Sequence, residues 1–145
     1  HSAQGTWRED LGIDVGDLGC IDDVDAQIFA PCALGGVLDA GLAETLRARI
    51  VCGAANNQLA TPEIAERLRA RRIVYAPDYV VNAGGIINVA AEYLAESADE
   101  VRGRVMAIGP RTRAILDQAA SERLTTSAVA DQMAEDLMRY SDAMA

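Results

Sequence analysis

The chain contains no lysine, since all 13 of its basic residues are arginine. Its one histidine is His1, at the first position. Arginine does not lose its proton in proteins, so these residues offer no titratable amine and almost no imidazole for proton transfer. We therefore predict no catalytic acid or base in this sequence, and expect any chemistry that needs a lysine to take it from elsewhere.

Cysteine is also scarce. The three cysteines, Cys20, Cys32 and Cys52, do not pair evenly and lack the spacing of metal ligands. This usage favours a reduced, cytoplasmic protein without a metal site. No uncharged run is longer than Tyr79 to Ala91, which is interrupted by glycine and asparagine and is too short to cross a bilayer. The first residues have neither the basic lead nor the apolar core of a signal peptide.

Positive charge is in deficit, with a formal net charge of −9. Nucleic acids and anionic membranes both attract basic surfaces, so neither is expected as a partner. The chain has 145 residues, of which 50% are hydrophobic, enough for a globular domain with a substantial core. Disorder is excluded by the same apolar share.

Short apolar runs alternate with helical segments through the middle of the chain. The runs Ala26–Ala30, Ile50–Cys52 and Ile73–Tyr75 flank predicted helices at Asp39–Leu46 and Pro62–Arg71, the latter capped by Thr61. This alternation predicts βαβ units in a parallel sheet that is buried on both faces. Ligands of such sheets bind beyond the carboxyl ends of the strands.

The remainder of the chain has helical periodicity. A helix is predicted from Asn82 to Glu96, and another begins after the capping box of Ser97 and Glu100. Gly109-Pro110 should kink or break that second helix, because proline disrupts a helix interior. Thr126 is the predicted cap of the last helix.

The phosphate-binding turn Gly-x-Gly-x-x-Gly is missing. Residues 1–25 are predicted to be loops, with a possible short strand at Ile13–Val15. We therefore predict an α/β fold that represents the second half of a Rossmann-like dinucleotide-binding domain, followed by a C-terminal helical tail. Residues 1–96 would form the partial dinucleotide-binding domain, without its first βαβ unit, and residues 97–145 the helices that pack on it.

Each predicted strand ends in a stretch of small and amide residues. Such stretches indicate a place where the backbone comes close to a polar group. They are Ala-Pro-Cys-Ala-Leu-Gly at 30–35, Gly-Ala-Ala-Asn-Asn-Gln-Leu at 53–59 and Tyr-Ala-Pro-Asp-Tyr-Val-Val-Asn-Ala-Gly-Gly at 75–85. Together they resemble the leucine, phenylalanine and valine dehydrogenases of the amino-acid dehydrogenase superfamily. Residues 86–89, Ile-Ile-Asn-Val, are more similar to the leucine and valine enzymes than to the phenylalanine enzymes.

The resemblance implies a function. These enzymes reversibly deaminate an L-amino acid to a 2-oxo acid and ammonia while reducing NAD, and their catalytic lysines and aspartate are attributed to an N-terminal domain. The resemblance thus implies a C-terminal portion that is inactive alone and that associates with an N-terminal segment or forms a homo-oligomer. A branched-chain substrate is expected, with phenylalanine as the alternative.

The resemblance also implies site residues. The cofactor-binding positions would be Pro31, Cys32, Ala33, Ala55, Asn56 and Asn82, and the substrate-binding positions Asn56, Asn57, Ile86 and Val89. Each has a simpler explanation. Small residues can merely let a strand turn, asparagines can cap helices or form Asx-turns, and the two aliphatic residues can be ordinary core. Gly84 and Gly85 would admit a ligand, or else allow helix packing.

Asp78 and Cys32 invite stronger interpretations than the sequence supports. Asp78 could act as an acid or base, but its place after Pro77 favours a helix cap. Cys32 lacks a histidine partner, so a small packing residue is expected rather than a nucleophile.

Two other functions stay open. The first is a non-catalytic module that binds nucleotide or mediates assembly, which the missing lysines and glycine turn would suit. The second is one subunit of a split enzyme, completed by a partner that carries the lysines.

Overall fold

The computed structural model of the protein describes Ile21 and residues 24–144, and the predictions for Ile13–Val15 and Cys20 lie outside this part. Three strands and seven helices make up the described residues. They are β1 (Ile28–Phe29), α1 (Ala40–Thr45), β2 (Ile50–Val51), α2 (Ile64–Ala70), β3 (Val74–Tyr75), α3 (Asp78–Val81), α4 (Gly84–Leu94), α5 (Ala98–Met106), α6 (Ile108–Glu122) and α7 (Thr126–Met144).

The strands form one parallel sheet in the order β1-β2-β3. This confirms the predicted alternation of strands with helices. Each strand pairs over two residues, fewer than predicted. After β1 and β3 the chain soon reaches Pro31 and Pro77, which have no backbone N–H to donate to a further pair. An isolated bridge between Leu38 and Leu59 continues the parallel pairing into the loops.

One face of the sheet carries the main core. Phe29, Val51 and Tyr75 lie in register on that face, and α1 and α2 cover it. The largest contributors from the helices and loops are fully or almost fully buried: Leu38, Leu46, Ile64, Leu68 and Ile73. Burying one such side chain stabilises the fold by about 1.5–3 kcal/mol.

The opposite face of the sheet corrects the prediction of burial on both sides. Ile28, Ile50 and Val74 lie in register there and are 57%, 38% and 42% exposed. Both connections, β1 to β2 and β2 to β3, step in the same direction along the sheet. Right-handed crossovers that step in one direction place their helices on the same face, so the second face is left without them.

A second, smaller core joins the helices that follow the sheet. Ile115 and Ala119 of α6 pack against Val129 and Ala130 of α7, and Val80 of α3 adjoins them. Through α3, the helical part is therefore attached to the end of β3, close to the loops described below.

Several predicted helix boundaries shift. The helix expected at Asn82–Glu96 is α4, Gly84–Leu94, and residues 82 and 83 form a turn that separates it from the short α3. Thr61 does not cap α2, whose N-cap position is Glu63, because Thr61 to Ile64 forms a turn closed by the Ile64 amide and the Thr61 carbonyl.

The predicted capping box of Ser97 and Glu100 is confirmed at the start of α5. The break near Gly109-Pro110 is also confirmed, although it falls earlier, at Ala107. Pro110 then occupies the first turn of α6, where its missing N–H costs no helical hydrogen bond.

The last helix is capped by a neighbour of the predicted residue. The Thr125 hydroxyl accepts from the Ala128 amide at 3.1 Å, and the Thr126 hydroxyl instead donates to the Tyr75 carbonyl at 2.6 Å. No helix within the described residues combines the length and apolarity needed to cross a membrane.

Candidate functional site

The loops after the three strands meet at the carboxyl edge of the sheet. The Ala55 amide donates to the Pro31 carbonyl at 2.9 Å, which joins the loop after β2 to the loop after β1. The Gly36 amide donates to the Asn57 carbonyl at 2.7 Å. These two bonds join the first and second motifs, and the bonds of Asp78 and Asn82 described below add the third.

Glycine is required here so that the loops can touch each other. A Cβ atom added to Gly53 would overlap the backbone of Pro31, and one added to Gly35 would lie 2.7 Å from the Asn56 carbonyl oxygen. The polar group that the backbone approaches at Gly53 is thus a neighbouring loop.

Asn56 and Asn82 form a hydrogen-bonded pair. Asn82 Nδ2 donates to Asn56 Oδ1 at 2.6 Å and to the Ala54 carbonyl at 3.3 Å. The Ala54 carbonyl can only accept, so the side chain of Asn82 must direct its NH2 group there. The same NH2 group then donates to Asn56, which must accept with its side-chain oxygen. Among the described residues, Asn82 Oδ1 and Asn56 Nδ2 have no further partner. The pair thus leaves one acceptor group and one donor group without a bond.

Asp78 binds the next residue of the same loop. Its Oδ2 accepts from the Asn57 backbone amide at 2.6 Å, and its Oδ1 accepts from the Tyr75 hydroxyl at 2.7 Å. The carboxyl group is buried, with the residue only 7% exposed. The prediction of Asp78 as a helix cap is wrong: Pro77 holds the N-cap position, and the carboxylate reaches a different loop.

Burial and the Asp78 carboxylate raise the pKa of Tyr75 above its ordinary value. The hydroxyl therefore keeps its proton and remains a donor to Asp78 throughout the neutral range.

Gln58 holds the loop from inside and was not singled out from the sequence. It is fully buried, and its Nε2 donates to the carbonyls of Gly53 and Ala55 at 2.7 and 2.9 Å. Its Oε1 is buried without a hydrogen-bond partner among the described residues. The sequence places Gln58 two residues after Asn56, but nothing local indicates that its side chain folds back.

A cleft of about 550 Å³ opens where these groups converge. It is lined by Ala54, Asn56, Asn57, Asp78, Tyr79, Asn82, Gly85 and Ile86. One wall is thus made of amide groups, and Ile86 at the start of α4 supplies an aliphatic surface. Such a cleft can hold a small molecule that has both an amide or carboxylate group and an apolar part.

Four of the predicted site residues therefore line the cleft: Asn56, Asn57, Asn82 and Ile86. Pro31 and Ala55 are buried between the loops, Cys32 and Ala33 are exposed, and none of these four lines the cleft. Val89 is 61% exposed on α4, one turn beyond Ile86, and it too lies outside the lining.

Some of the simpler explanations fail. Ile86 and Val89 are not core residues in the described part, since both are more than half exposed. Cys32 is exposed and so does not act as a packing residue there. Cβ atoms at Gly84 and Gly85 would meet open space, which argues against a packing role for these glycines.

The described residues contain no group of three or more histidine, cysteine, aspartate or glutamate side chains that could hold a metal ion. Amides, backbone groups and one buried carboxylate therefore make up the polar chemistry of the cleft.

Known proteins match this chain over most of its length. The model of the glutamate/leucine/phenylalanine/valine dehydrogenase family matches residues 12–144. Valine dehydrogenase of Streptomyces virginiae is 48% identical over 117 residues, covering 81% of this chain and 32% of that protein. Leucine dehydrogenase of Thermoactinomyces intermedius is 40% identical over 116 residues, covering 80% of this chain and 32% of that protein.

A solved structure agrees with the fold. The crystal structure of L-tryptophan dehydrogenase from Nostoc punctiforme superposes with a TM-score of 0.89 at 36% identity, covering 97% of this chain and 42% of that chain. The chain spans about a third of the length of the curated relatives it matches. The resemblance carried by the three motifs is confirmed, and the chain belongs to the glutamate/leucine/phenylalanine/valine dehydrogenase family.

Proposed function

We propose that this chain forms the nicotinamide side of an NAD-dependent dehydrogenase that converts a branched-chain L-amino acid to its 2-oxo acid and ammonia. The observation that carries the proposal is the Asn56–Asn82 pair, which offers one free donor and one free acceptor in the cleft. Family membership supports an oxidoreductase of this kind.

The pair fits a primary carboxamide. The carbonyl of a carboxamide accepts from Asn56 Nδ2 while its NH2 group donates to Asn82 Oδ1. A carboxylate can only accept, so it would gain one bond and face the Asn82 oxygen unfavourably. The pair therefore favours the nicotinamide carboxamide over the substrate carboxylate. Bound there, the nicotinamide ring would supply the hydride acceptor for the reaction.

Asn57 is then the candidate for the substrate carboxylate. It lines the same cleft, its backbone is held by Asp78, and its side-chain amide has no partner among the described residues. A side-chain NH2 group is a suitable donor to a carboxylate. Of the two roles predicted for Asn56, this assignment keeps cofactor binding and leaves substrate binding to Asn57.

The aliphatic surface beside the cleft supports a branched-chain substrate. Ile86 lines the cleft and Val89 lies one turn further along α4, so a branched aliphatic side chain would meet apolar surface there. Such surfaces discriminate by only about 1–3 kcal/mol per methylene. Phenylalanine therefore stays as the alternative substrate.

The catalytic groups must come from outside these residues. No lysine is present, and the chain spans 32% of the length of its valine dehydrogenase relative. We propose that residues 1–96 form the second half of a Rossmann-like domain and residues 97–145 the helices packed on it. The exposed row of Ile28, Ile50 and Val74 supports association with a further protein segment or subunit.

The test uses the longer protein that contains these residues, assayed for NADH formation with valine, leucine and phenylalanine. The wild type should form NADH most efficiently with valine or leucine. Asn56→Asp keeps the oxygen that Asn82 needs but turns the free donor into an acceptor. The KM for NAD should rise about tenfold or more, because the carboxamide carbonyl loses its donor.

Asn88→Asp is the matched control, since Asn88 is exposed on α4 and lies outside the cleft lining. It introduces the same charge and should leave the KM for NAD unchanged. No NADH formation with any aliphatic amino acid would refute the proposed activity. An unchanged KM in Asn56→Asp would refute the assignment of the pair.

Calorimetry with NAD on the 145-residue chain tests whether a partial site suffices. We expect weak binding at most, because the glycine turn for the pyrophosphate is missing. Tight binding would favour a self-contained nucleotide-binding module, and co-purification of a lysine-containing partner would favour a split enzyme.

A further inference from the structure

We infer that Asp78 is a positioning residue of the candidate site: its side chain holds the Asn57 loop while its backbone holds Asn82. This inference rests on the proposed function of the cleft. It concerns a residue that the sequence indicated only as a helix cap.

The first contact fixes an unusual backbone conformation. Asn57 has a φ of 53°, in the left-handed region. Residues other than glycine rarely adopt this conformation, although asparagine tolerates it better than most. The Asn57 amide donates to Asp78 Oδ2 at 2.6 Å, a short bond to a carboxylate, and such bonds are stronger than those between neutral groups. Asp78 is thus placed to stabilise this conformation.

The second contact reaches the partner of Asn56. The backbone amide of Asn82 donates to the Asp78 carbonyl at 2.9 Å at the end of α3. Asp78 is therefore bonded to the loop that carries Asn56 and also to Asn82 itself. The 2.6 Å bond between Asn56 and Asn82 spans two segments that Asp78 ties together.

Asp78 is itself held firmly. The Tyr75 hydroxyl donates to its other carboxylate oxygen at 2.7 Å, and Tyr75 is only 3% exposed. Other bonds reach the loop at other atoms: the Gly36 amide and Gln58 donate to carbonyls of the loop, and the Ala55 amide donates to the Pro31 carbonyl. Among the described residues, Asp78 alone satisfies the Asn57 N–H.

Three substitutions separate positioning from simple packing. Asp78→Ala removes both side-chain bonds. Asp78→Asn keeps an oxygen for the Asn57 amide and gives an NH2 group that can donate to the Tyr75 oxygen. Tyr75→Phe removes the tyrosine bond and leaves the Asn57 bond in place.

In the longer protein, Asp78→Ala should raise the KM for NAD about tenfold, with a smaller change in kcat. Asp78→Asn should restore most of the wild-type KM. Tyr75→Phe should lower the Tm yet leave the KM within about twofold of wild type. Equal KM values for Asp78→Ala and wild type, or an equal rise in Tyr75→Phe, would overturn the inference.

NMR on the 145-residue chain tests the same contact without the cofactor. The Asn57 amide should exchange slowly in wild type and Tyr75→Phe but rapidly in Asp78→Ala, with a coupling constant that no longer reports left-handed φ. Unchanged Asn57 signals in Asp78→Ala would refute positioning even if the enzyme uses NAD. Altered signals beside an enzyme that makes no NADH would uphold positioning and refute the proposed function.

Discussion

The sheet-and-loop part of the molecule, residues 24–82, and the helical part, residues 98–144, satisfy their polar side chains in different ways. In the first part, Asp78 accepts from Asn57 and Asn82 donates to Asn56 across 21 and 26 residues of sequence. In the second, Arg113 pairs with Asp117 one helical turn away, and Arg139 with Glu135 likewise. Long-range bonds fix the relative positions of loops, whereas pairs within one helix stabilise only that helix.

Apolar burial differs between the same two parts. The sheet core contains side chains that are fully buried, among them Leu38 and Leu68. The helical core is small, and α7 leaves Leu137, Met138 and Tyr140 more than 60% exposed. The site is therefore built on the better-packed part of the chain.

The largest effect should come from the sheet core. Leu68→Ala should lower the free energy of unfolding by about 2–5 kcal/mol, because it leaves a cavity beside the sheet. Leu137→Ala makes the same change on α7, where the side chain is 63% exposed, and should cost about 0.5 kcal/mol or less. Urea unfolding measures both, and equal losses would erase the contrast between the two cores.

The next largest effect is expected where the loop after β2 contacts the loop after β1. Gly53→Ala should destabilise the fold by about 1–3 kcal/mol, since the added Cβ overlaps the Pro31 backbone. Gly84→Ala places the same methyl group in open space within α4 and should stabilise by about 0.5–1 kcal/mol. If Gly53→Ala proved as stable as wild type, the close approach of the loops would be wrong.

A smaller effect should distinguish long-range from local hydroxyl bonds. Thr126→Val removes the bond from α7 to the Tyr75 carbonyl at the end of β3 and should cost about 1 kcal/mol. Thr112→Val removes a bond to the Ile108 carbonyl within α6, which the helix already satisfies, so thermal unfolding should change little. A larger loss of stability in Thr112→Val than in Thr126→Val would contradict this prediction.

Alkaline pH should act on the junction between the two parts. Burial raises the pKa of both Tyr75 and Tyr79, helped by Asp78 and by Asp131 respectively. The folded state therefore binds these protons more tightly than the unfolded state, whose tyrosines titrate near 10.0. This contribution is complete below pH 10.0 and is lost as the pH rises through the folded pKa values.

The measurement is urea unfolding below and above the ordinary tyrosine pKa. Wild type should lose stability as the pH rises past that value, and Tyr75→Phe should show a flatter profile because one of the two protons is absent. A free energy of unfolding that rises with alkaline pH would contradict the predicted direction of the effect. An identical pH profile in Tyr75→Phe would show that Tyr75 is not one of its sources.

The smallest effect is expected within α6. Arg113 and Asp117 are 78% and 68% exposed, so Arg113→Gln should cost about 0.5 kcal/mol or less. The loss should shrink further at high salt. A cost comparable to that of Thr126→Val would show that local pairs matter as much as the bonds between the two parts.

Local signals in the sequence predicted local structure well. The capping box at Ser97 and the helix break before Pro110 depend on residues within one turn of each other, and both are confirmed. The threonines before α7 show the limit of such signals. Thr125 and Thr126 are equally suitable N-caps by residue type. The Thr126 hydroxyl instead donates to the Tyr75 carbonyl, 51 residues away in the sequence.

In the candidate site, too, the sequence indicated some features, and others depended on contacts between distant residues. The amide-rich motifs were visible in the sequence, and Asn56, Asn57, Asn82 and Ile86 do line one cleft. The roles of Asp78 and Gln58 were not visible, because a carboxylate and an amide can serve many partners. Which partner they bind depends on which loop lies within about 3 Å.

The sequence by itself determined the order of strands and helices, the family and the lack of lysine, since each follows from residue type and spacing along the chain. Tertiary structure alone decided that Asp78 restrains Asn57 and that the Asn56–Asn82 pair keeps one donor and one acceptor free. An amide can present either its oxygen or its nitrogen. Here the Ala54 carbonyl, brought near by the fold, makes that choice.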